Sequence, residues 1–434
     1  MEKKMNVYKL GFLGLGTVAS GVVEGLEKNA SLLQSRFGVD FTISKIAVRD
    51  LHAKRSPNVD PSLLTTDPYE VVSHPEVDIV LELIGGEEPA RSLVMEALRN
   101  GKTVITANKA LIAEHGPELF DIAEKNNTRI FFEASVAGGI PIIKALREGL
   151  SGNSIDTMHG ILNGTCNYIL SCMEGGVAFE DALSDAQKLG YAEADPTLDI
   201  DGFDAGHKAA ILASLAYGQW FSKENVSISG IRNLQLTDIN FARDAGYRIK
   251  LLANIKKNAA NKISIDVQPT LVPETSMIGA VMDAYNGIKI AGNVVGETFF
   301  YGLGAGKEAT SSAVIADIID ACDAFKNNNT TYPGFKAFDG ADGATDLTGI
   351  SCRFYLRVNV VDNPKVLAAI TGILGDNNIS IASITQKESG EKSVPVVILT
   401  HEVQAQQMDT ALAEIEKLDI VKETPLRFRI EDIN

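Results

Sequence analysis

Val7-Tyr8-Lys9-Leu10-Gly11-Phe12-Leu13-Gly14-Leu15-Gly16-Thr17-Val18-Ala19 decides how this chain is read. The apolar stretch Val7 to Leu13 runs into a glycine turn, and Ser20 to Leu33 then has helical spacing. Strand, glycine turn, helix is the order that a dinucleotide's pyrophosphate requires. The glycines let the backbone approach the phosphates, and the helix N-terminus offers free N–H groups and the positive end of a dipole. Gly14, Gly16, Thr17 and Val18 are the candidate cofactor contacts. The third glycine position holds Ala19, still small enough for close helix–strand packing. The plain alternative is a tight turn with no ligand.

Outward from this unit, strand and helix patterns alternate through the first 135 residues. Phe41 to Val48, Asp78 to Ile84, Thr103 to Ala107 and Arg129 to Glu133 read as strands, with helices such as Pro89 to Arg99 and Pro117 to Lys125 between them. That alternation predicts an α/β, doubly wound parallel sheet. Ligands of such sheets bind at the carboxyl ends of the strands. Ile84-Gly85-Gly86 and Thr106-Ala107-Asn108-Lys109 fall at such ends, which places Ile84, Gly85 and Lys109 near the cofactor.

From Gly138 to about Val295 the pattern changes to helices (Pro141 to Glu148, Thr165 to Met173, Phe179 to Leu189, Phe203 to Tyr217) followed by strand-like stretches (Ile263 to Pro269, Gly287 to Ala291). An α+β domain inserted into the first is expected. Gly302-Leu303-Gly304-Ala305-Gly306 then starts a helix, Ser311 to Phe325, that should return to the nucleotide domain, with Gly304 and Gly306 as further cofactor contacts. Asn327 to Thr348 is rich in Asn, Gly, Asp and Pro and reads as a linker. The remainder has the order β-α-β-β-α-β: Phe354 to Val361, Lys365 to Asp376, Ser380 to Gln386, Val394 to His401, Val403 to Leu418 and Thr424 to Ile430. This is ferredoxin-like. A sheet this small commonly pairs edge to edge with a second copy. The division expected is 1–137 with 304–328 for the dinucleotide, 138–303 for catalysis and dimerisation, 329–350 as linker and 351–434 as the small C-terminal module.

The 434 residues are 45% hydrophobic and 22% charged, as in soluble proteins with large cores. A net charge of −16 argues against nucleic acid and anionic membrane as partners. No apolar run reaches the roughly 18 residues of a membrane span. Lysines before an apolar stretch imitate a signal peptide, but Lys9 interrupts the stretch, which is already the first strand. Cys166, Cys172, Cys322 and Cys352 are scattered, as expected for reduced thiols in a cytoplasmic protein.

The densest polar stretch is Tyr191-Ala192-Glu193-Ala194-Asp195-Pro196-Thr197-Leu198-Asp199-Ile200-Asp201-Gly202-Phe203-Asp204-Ala205-Gly206-His207-Lys208. Asp204 and Lys208, four apart, share a helix face. Most such pairs are exposed salt bridges of little consequence. Here the lysine begins a very apolar helix. Desolvation there lowers its pKa towards acid/base use and the neighbouring carboxylate raises it. His207 points away from Lys208 and is taken as structural or exposed.

Seven motifs together resemble the homoserine dehydrogenase family over nearly the whole length. They are GLGTVASGV (14–22), LIGG (83–86), TANKALIA (106–113), FEASVAGGIPII (132–143), NGTCNYIL (163–170), LGYAEADPTLDIDGFDAGHKAAILA (189–213) and YGLGAG (301–306). The C-terminal segment resembles an ACT domain, an amino-acid-sensing module. The resemblance implies a Rossmann-type fold and NAD(P)-dependent interconversion of L-aspartate 4-semialdehyde and L-homoserine (EC 1.1.1.3), in threonine, methionine and isoleucine biosynthesis. It puts the proton donor on Lys208, the orienting carboxylate on Asp204, and substrate contacts on Glu193, Asp199, Gly190 and Lys109, the last shared with the cofactor. It also implies a structural sodium site at Glu133, Val136, Gly138 and Ile140, and a homodimer or homotetramer. The residue types agree: an amino-acid substrate needs carboxylates for its ammonium and a cation for its carboxylate.

Cofactor choice rests on the end of the second strand. Arg49, with Lys54 and Arg55 nearby, suits a 2′-phosphate, whereas Asp50 suits a ribose hydroxyl. NADP(H) is favoured and NAD(H) stays open. In the ACT-like segment Lys365 stands where ligand-binding members usually carry glycine. Three alternatives follow for its L-threonine effector site: weak binding, another ligand, or assembly alone. Two competing readings of the whole chain are another Rossmann-fold amino-acid dehydrogenase and a non-catalytic amino-acid sensor.

Overall fold

A computed structural model describes residues 6–55, 57, 59–327, 343–345, 350–386 and 393–433. Two compact units emerge, each gathered from three stretches of chain: Met1–Asp156, His207–Glu224 and Ile290–Ala341, and Thr157–Gly206, Asn225–Lys289 and Asp342–Asn434.

The first unit holds six parallel strands: β1 (Asn6–Leu13), β2 (Val39–Ala47), β3 (Leu64–Thr65), β4 (Ile79–Glu82), β5 (Thr103–Thr106) and β6 (Ile130–Phe131). Their order is β3-β2-β1-β4-β5-β6, so the chain reverses direction across the sheet between β1 and β4. That reversal is where doubly wound sheets bind dinucleotides. β4 and β5 are buried at every residue, hence their apolar or small-polar character, broken only by Glu82 at the end of β4.

The late helix Lys307–Lys326 completes this unit. Val314, Ile318, Ile319 and Cys322 sit in the same core as Leu10, Phe12, Val22 and Ile79. It lies against the helix Thr17–Lys28 along a glycine face. A Cβ on Gly21 would stand 2.9 Å from Lys307 Cγ, and one on Gly25 2.6 Å from Ile315 Cδ1. A Lys307–Glu24 ion pair at 2.6 Å closes the contact.

Several element limits differ from the sequence reading. The first helix breaks at Asn29, and a second, Ala30–Phe37, follows to a left-handed Gly38. The helix read from Pro117 starts at Lys109, because the Asn108 side chain caps it by accepting from Leu111 N. The strand read to Glu133 ends at Phe131, and Glu133 opens a 3-10 turn.

The second unit is built on a mixed sheet, with β7 (Ile155–Ile161), β8 (Val226–Ile228), β9 (Tyr247–Lys257), β10 (Ile263–Pro273) and β11 (Tyr285–Gly292) from the middle of the chain. The ACT-like segment gives β12 (Ser351–Val361), β13 (Ile381–Gln386), β14 (Ser393–Thr400) and β15 (Leu426–Ile430). The sheet runs β11-β7-β9-β10-β15-β12-β14-β13, with β8 beside β10. β7 and β9 escaped the sequence reading; β9 is buried from Ile249 to Ile255 and reads equally as a buried helix segment. The predicted helix Val403 to Leu418 starts only at Ala405, after Val403 pairs with Cys352.

β15 pairs in parallel with β10 (Thr270 with Arg429) and antiparallel with β12, so the two contributions form one sheet. Its polar face there is held by buried ion pairs. Arg429 Nη1 lies 2.8 Å from Asp266 Oδ1, the two side chains being 3% and 1% exposed. Arg357 Nε lies 2.8 Å from Asp238, which also accepts from Tyr355 Oη. The other face packs on the helices Val366–Asp376 and Ala405–Ile415 through Val358, Val394, Val396, Ile370 and Met408. The linker expected at 329–350 lies almost wholly outside the described residues.

Candidate active site

The glycine turn after β1 has the conformation its sequence requires. Gly14 has φ +94°, and a Cβ there would stand 2.9 Å from Ile84 Cγ2 and 3.2 Å from Leu83 O. A Cβ on Gly16 would meet nothing within 4 Å, and Gly16 and Thr17 are exposed. Gly16 is the N-cap of the helix Thr17–Lys28 and brings no side-chain cap. The first-turn N–H groups therefore have no capping side chain, which suits an anion.

The turn after β4 is fixed by Glu82, which the sequence reading passed over. Its buried carboxylate accepts from Ile84 N (3.0 Å), Gly85 N (3.2 Å) and Thr106 Oγ1 (2.6 Å). Burial pushes its pKa up, and those three donors pull it back. Asn108 Nδ2 donates to Gly86 O at 2.6 Å, which ties the start of the Lys109 helix to this turn. Lys109 is half-buried at the first position of that helix. Arg49 and Asp50 lie exposed beyond β2, and Asp50 accepts from His52 N.

The second glycine loop meets the segment after β6. Gly139 N donates to Leu303 O at 2.9 Å, and a Cβ on Gly138 would stand 3.1 Å from Gly304 O. Gly306, at φ +115° with open space around it, is the N-cap of Lys307–Lys326. Glu133 is buried beside this loop and accepts from Ile143 N (2.9 Å) and Lys144 N (2.8 Å), while its own N–H donates to Asp317 at 2.9 Å. Burial raises Glu133 to about 7. Val136, Gly138 and Ile140 are buried too, and Ala137 has φ +52°. A carboxylate and backbone carbonyls are the oxygen ligands that a hard monovalent cation takes.

In the second unit the acidic stretch is tied to one helix start. Asn163 caps the helix Gly164–Glu174 by accepting from Cys166 N at 2.8 Å. Its Nδ2 donates to Asp199 Oδ1 and Asp204 Oδ2, both at 2.8 Å. Thr165 Oγ1 donates to Tyr191 O at 2.6 Å, and Cys166 Sγ to Asp199 O at 3.2 Å. Asn167 anchors the same helix from behind, donating to Val281 O, Asp283 O and Tyr285 O. Each polar side chain of Asn-Gly-Thr-Cys-Asn is thus used, and a Cβ on Gly164 would stand 2.7 Å from Ala284 O.

Of the residues read from sequence, the structure brings Asp199 and Asp204 together. Asp204 is buried, and Lys208 follows it one turn later on the helix Phe203–Tyr217, half-buried. Glu193 is exposed, and Gly190 turns the chain at φ +77°. His207 lies 3.5 Å from Glu114, a structural contact as expected. Asn163 and Glu82 were missed as site residues. The available signal for Asn163 was an Asn directly before a helical pattern, inside a motif already noted.

Family models match residues 14–133 as the homoserine dehydrogenase NAD-binding domain, 141–319 as homoserine dehydrogenase and 354–419 as an ACT domain. The homoserine dehydrogenase of Pseudomonas aeruginosa is 42% identical over 99% of this chain and 100% of its own. The chain belongs to the homoserine dehydrogenase family. A solved homoserine dehydrogenase from Thiobacillus denitrificans superimposes with a TM-score of 0.91 at 43% identity, over 99% of both chains. A hyperthermophilic archaeal homoserine dehydrogenase, solved in complex with NADPH, aligns with a TM-score of 0.64 at 29% identity, over 74% of this chain and 98% of that one. The homoserine dehydrogenase fold, a Rossmann-type parallel sheet with a mixed second sheet, thus ends in an ACT domain. Among the described residues no helix is long and apolar enough to cross a membrane.

Proposed function

We propose that this homoserine dehydrogenase reversibly reduces L-aspartate 4-semialdehyde to L-homoserine, in the biosynthesis of threonine, methionine and isoleucine. The observation that carries the reading is the joining of Asp199 and Asp204 by Asn163, one helical turn before Lys208. When bound, the nicotinamide cofactor supplies the hydride that reaches the aldehyde carbon. Lys208 delivers a proton to the carbonyl oxygen and stabilises the charge developing there. Asp204 orients Lys208, and Glu193 and Asp199, with Gly190 in the turn that precedes them, hold the substrate ammonium. Lys109 attracts the substrate carboxylate and the cofactor.

Gly14, Gly16, Thr17, Val18, Ile84, Gly85, Gly304 and Gly306 would hold the cofactor. NADPH is favoured over NADH because Arg49 stands exposed beyond β2, and a relative is solved in complex with NADPH. Glu133, Val136, Gly138 and Ile140 would hold a structural sodium ion. The four-part division at 137, 303, 328 and 350, a dimeric or tetrameric assembly and a cytoplasmic location complete the reading.

The ACT segment is proposed to sense L-threonine, with one reservation built into the chain. Lys365 precedes the helix Val366–Asp376 at φ +75°, a conformation that favours glycine. The position thus keeps a glycine's backbone while carrying a long side chain.

The test is nicotinamide absorbance with L-homoserine, using both cofactors, with and without threonine. Lys208→Ala should lower turnover by about 10²–10⁴-fold or more while NADPH binding is kept. Near-normal turnover would remove Lys208 as the proton source.

A further inference from the structure

We infer that Asn163 is a positioning residue for the reaction: its amide nitrogen, bonded to both, governs the spacing and direction of the Asp199 and Asp204 carboxylates. The inference rests on the reading of those two acids given under Proposed function.

The side chain is 4% exposed and has its orientation fixed by its neighbours. Oδ1 accepts from Cys166 N at 2.8 Å, and Nδ2 donates one hydrogen to each acid at 2.8 Å. The flipped amide would turn a carbonyl oxygen onto two carboxylates and an NH2 group onto a backbone N–H. The observed orientation is therefore the one that the donors and acceptors allow.

Asn163 ties together two pieces of chain that neither sequence distance nor a shared element would align. Asp199 lies in the short helix Thr197–Ile200, and Asp204 in the first turn of Phe203–Tyr217. Gly202, at φ +88°, turns the chain between them. Carboxylates that converge this way repel each other. A donor shared between them holds them at a set spacing without neutralising either, which a lysine or arginine would do. The amide is in turn mounted on a helix start held by Thr165, Cys166 and Asn167. Lys208 follows Asp204 one turn further along the same helix.

A plain structural role, as N-cap alone, predicts different behaviour. Aspartate and serine cap helices about as well as asparagine. Asn163→Asp and Asn163→Ser therefore keep the acceptor for Cys166 N. Asn163→Ser leaves one hydroxyl donor for two acids, and Asn163→Asp leaves no donor and adds a third carboxylate.

The experiment measures kcat and KM for L-homoserine, NADPH affinity and thermal midpoint in the full-length wild type and both variants. Loss of hydrogen bonds to charged groups predicts a fall in kcat/KM of about 10-fold for Asn163→Ser and about 100-fold for Asn163→Asp, mostly in kcat. NADPH affinity should hold in both, and Asn163→Ser should melt with the wild type. Should Asn163→Asp fail to fold, Asn163→Ser decides the matter alone. Wild-type kcat/KM in Asn163→Ser, or losses that follow the melting temperature, would overturn the inference. A wild type that turns over no homoserine with either cofactor would instead overturn the proposed function, and the inference with it.

Discussion

Two groups of charged side chains in the second unit are built on opposite rules. Along the β10–β15–β12 seam, Asp266, Arg429, Asp238 and Arg357 are buried and paired. Asp266 takes Arg429 on one oxygen, and Asn254 and Gln268 on the other at 2.8 and 2.7 Å. The stretch from Gly190 to Asp204 holds five acids and no cation; Arg232 pairs with Asp201 at 2.9 Å, and Glu193 and Asp195 are exposed. The neutral amide of Asn163 joins Asp199 to Asp204. Where the fold needs charge, charge is matched inside the chain. Where the substrate ammonium is proposed to bind, Glu193 lies exposed and the Asn163 amide directs Asp199 and Asp204.

The comparison breaks first at the seam. Asp266→Ala should destabilise the protein by about 3 kcal/mol, since it leaves the buried Arg429 with the longer contact to Glu431 at 3.4 Å. Urea denaturation at fixed pH measures this, and activity per folded molecule should be unchanged. A loss under about 1 kcal/mol would mean that the seam is not a matched pair in solution. Next comes the open stretch. Glu193→Gln should lower kcat/KM for homoserine by about 10–100-fold, the worth of a charge-assisted hydrogen bond, at unaltered stability. An altered melting temperature with normal kinetics would place Glu193 with the structural group.

The smallest effect asks on which side the helix anchor falls. Lys250 is fully buried, donates to Val281 O at 2.7 Å, and lies 3.3 Å from Asn167 Oδ1. Burial lowers it to about 8. Between that value and the ordinary 10.5, the unfolded chain binds a proton that the folded chain has released, so stability rises with pH. The gain is about 1 kcal/mol from pH 8 to pH 9. Lys250→Met should lack this increment when unfolding is compared at the two pH values. An identical increment in the variant would show that Lys250 is not the group titrating.

Local chemistry made much of this legible beforehand. Gly14 marks the turn because no other residue type suits a left-handed bend packed against Leu83 and Ile84 at the end of β4. The helix Phe203–Tyr217 was visible because its apolar run is long and Gly202 stops what precedes it. The register of distant segments was not visible. Nothing in Thr424 to Ile430 states that it will lie parallel to β10. Nothing near Glu82 states that its carboxylate will be turned back onto Ile84 N. Asn163 is the instructive case: its capping role is local and readable, while its hold on two acids depends on how residues 197–204 return to it.

The helix Lys307–Lys326 has a consequence for how the protein is made. A ribosome delivers the whole six-stranded sheet early, yet the glycine-lined face of Thr17–Lys28 stays wet until Val314, Ile318 and Ile319 have emerged. The nascent nucleotide fold must therefore persist as an incomplete, sticky intermediate while the residues from 157 to 306 are translated, the interval in which a chaperone has most to do.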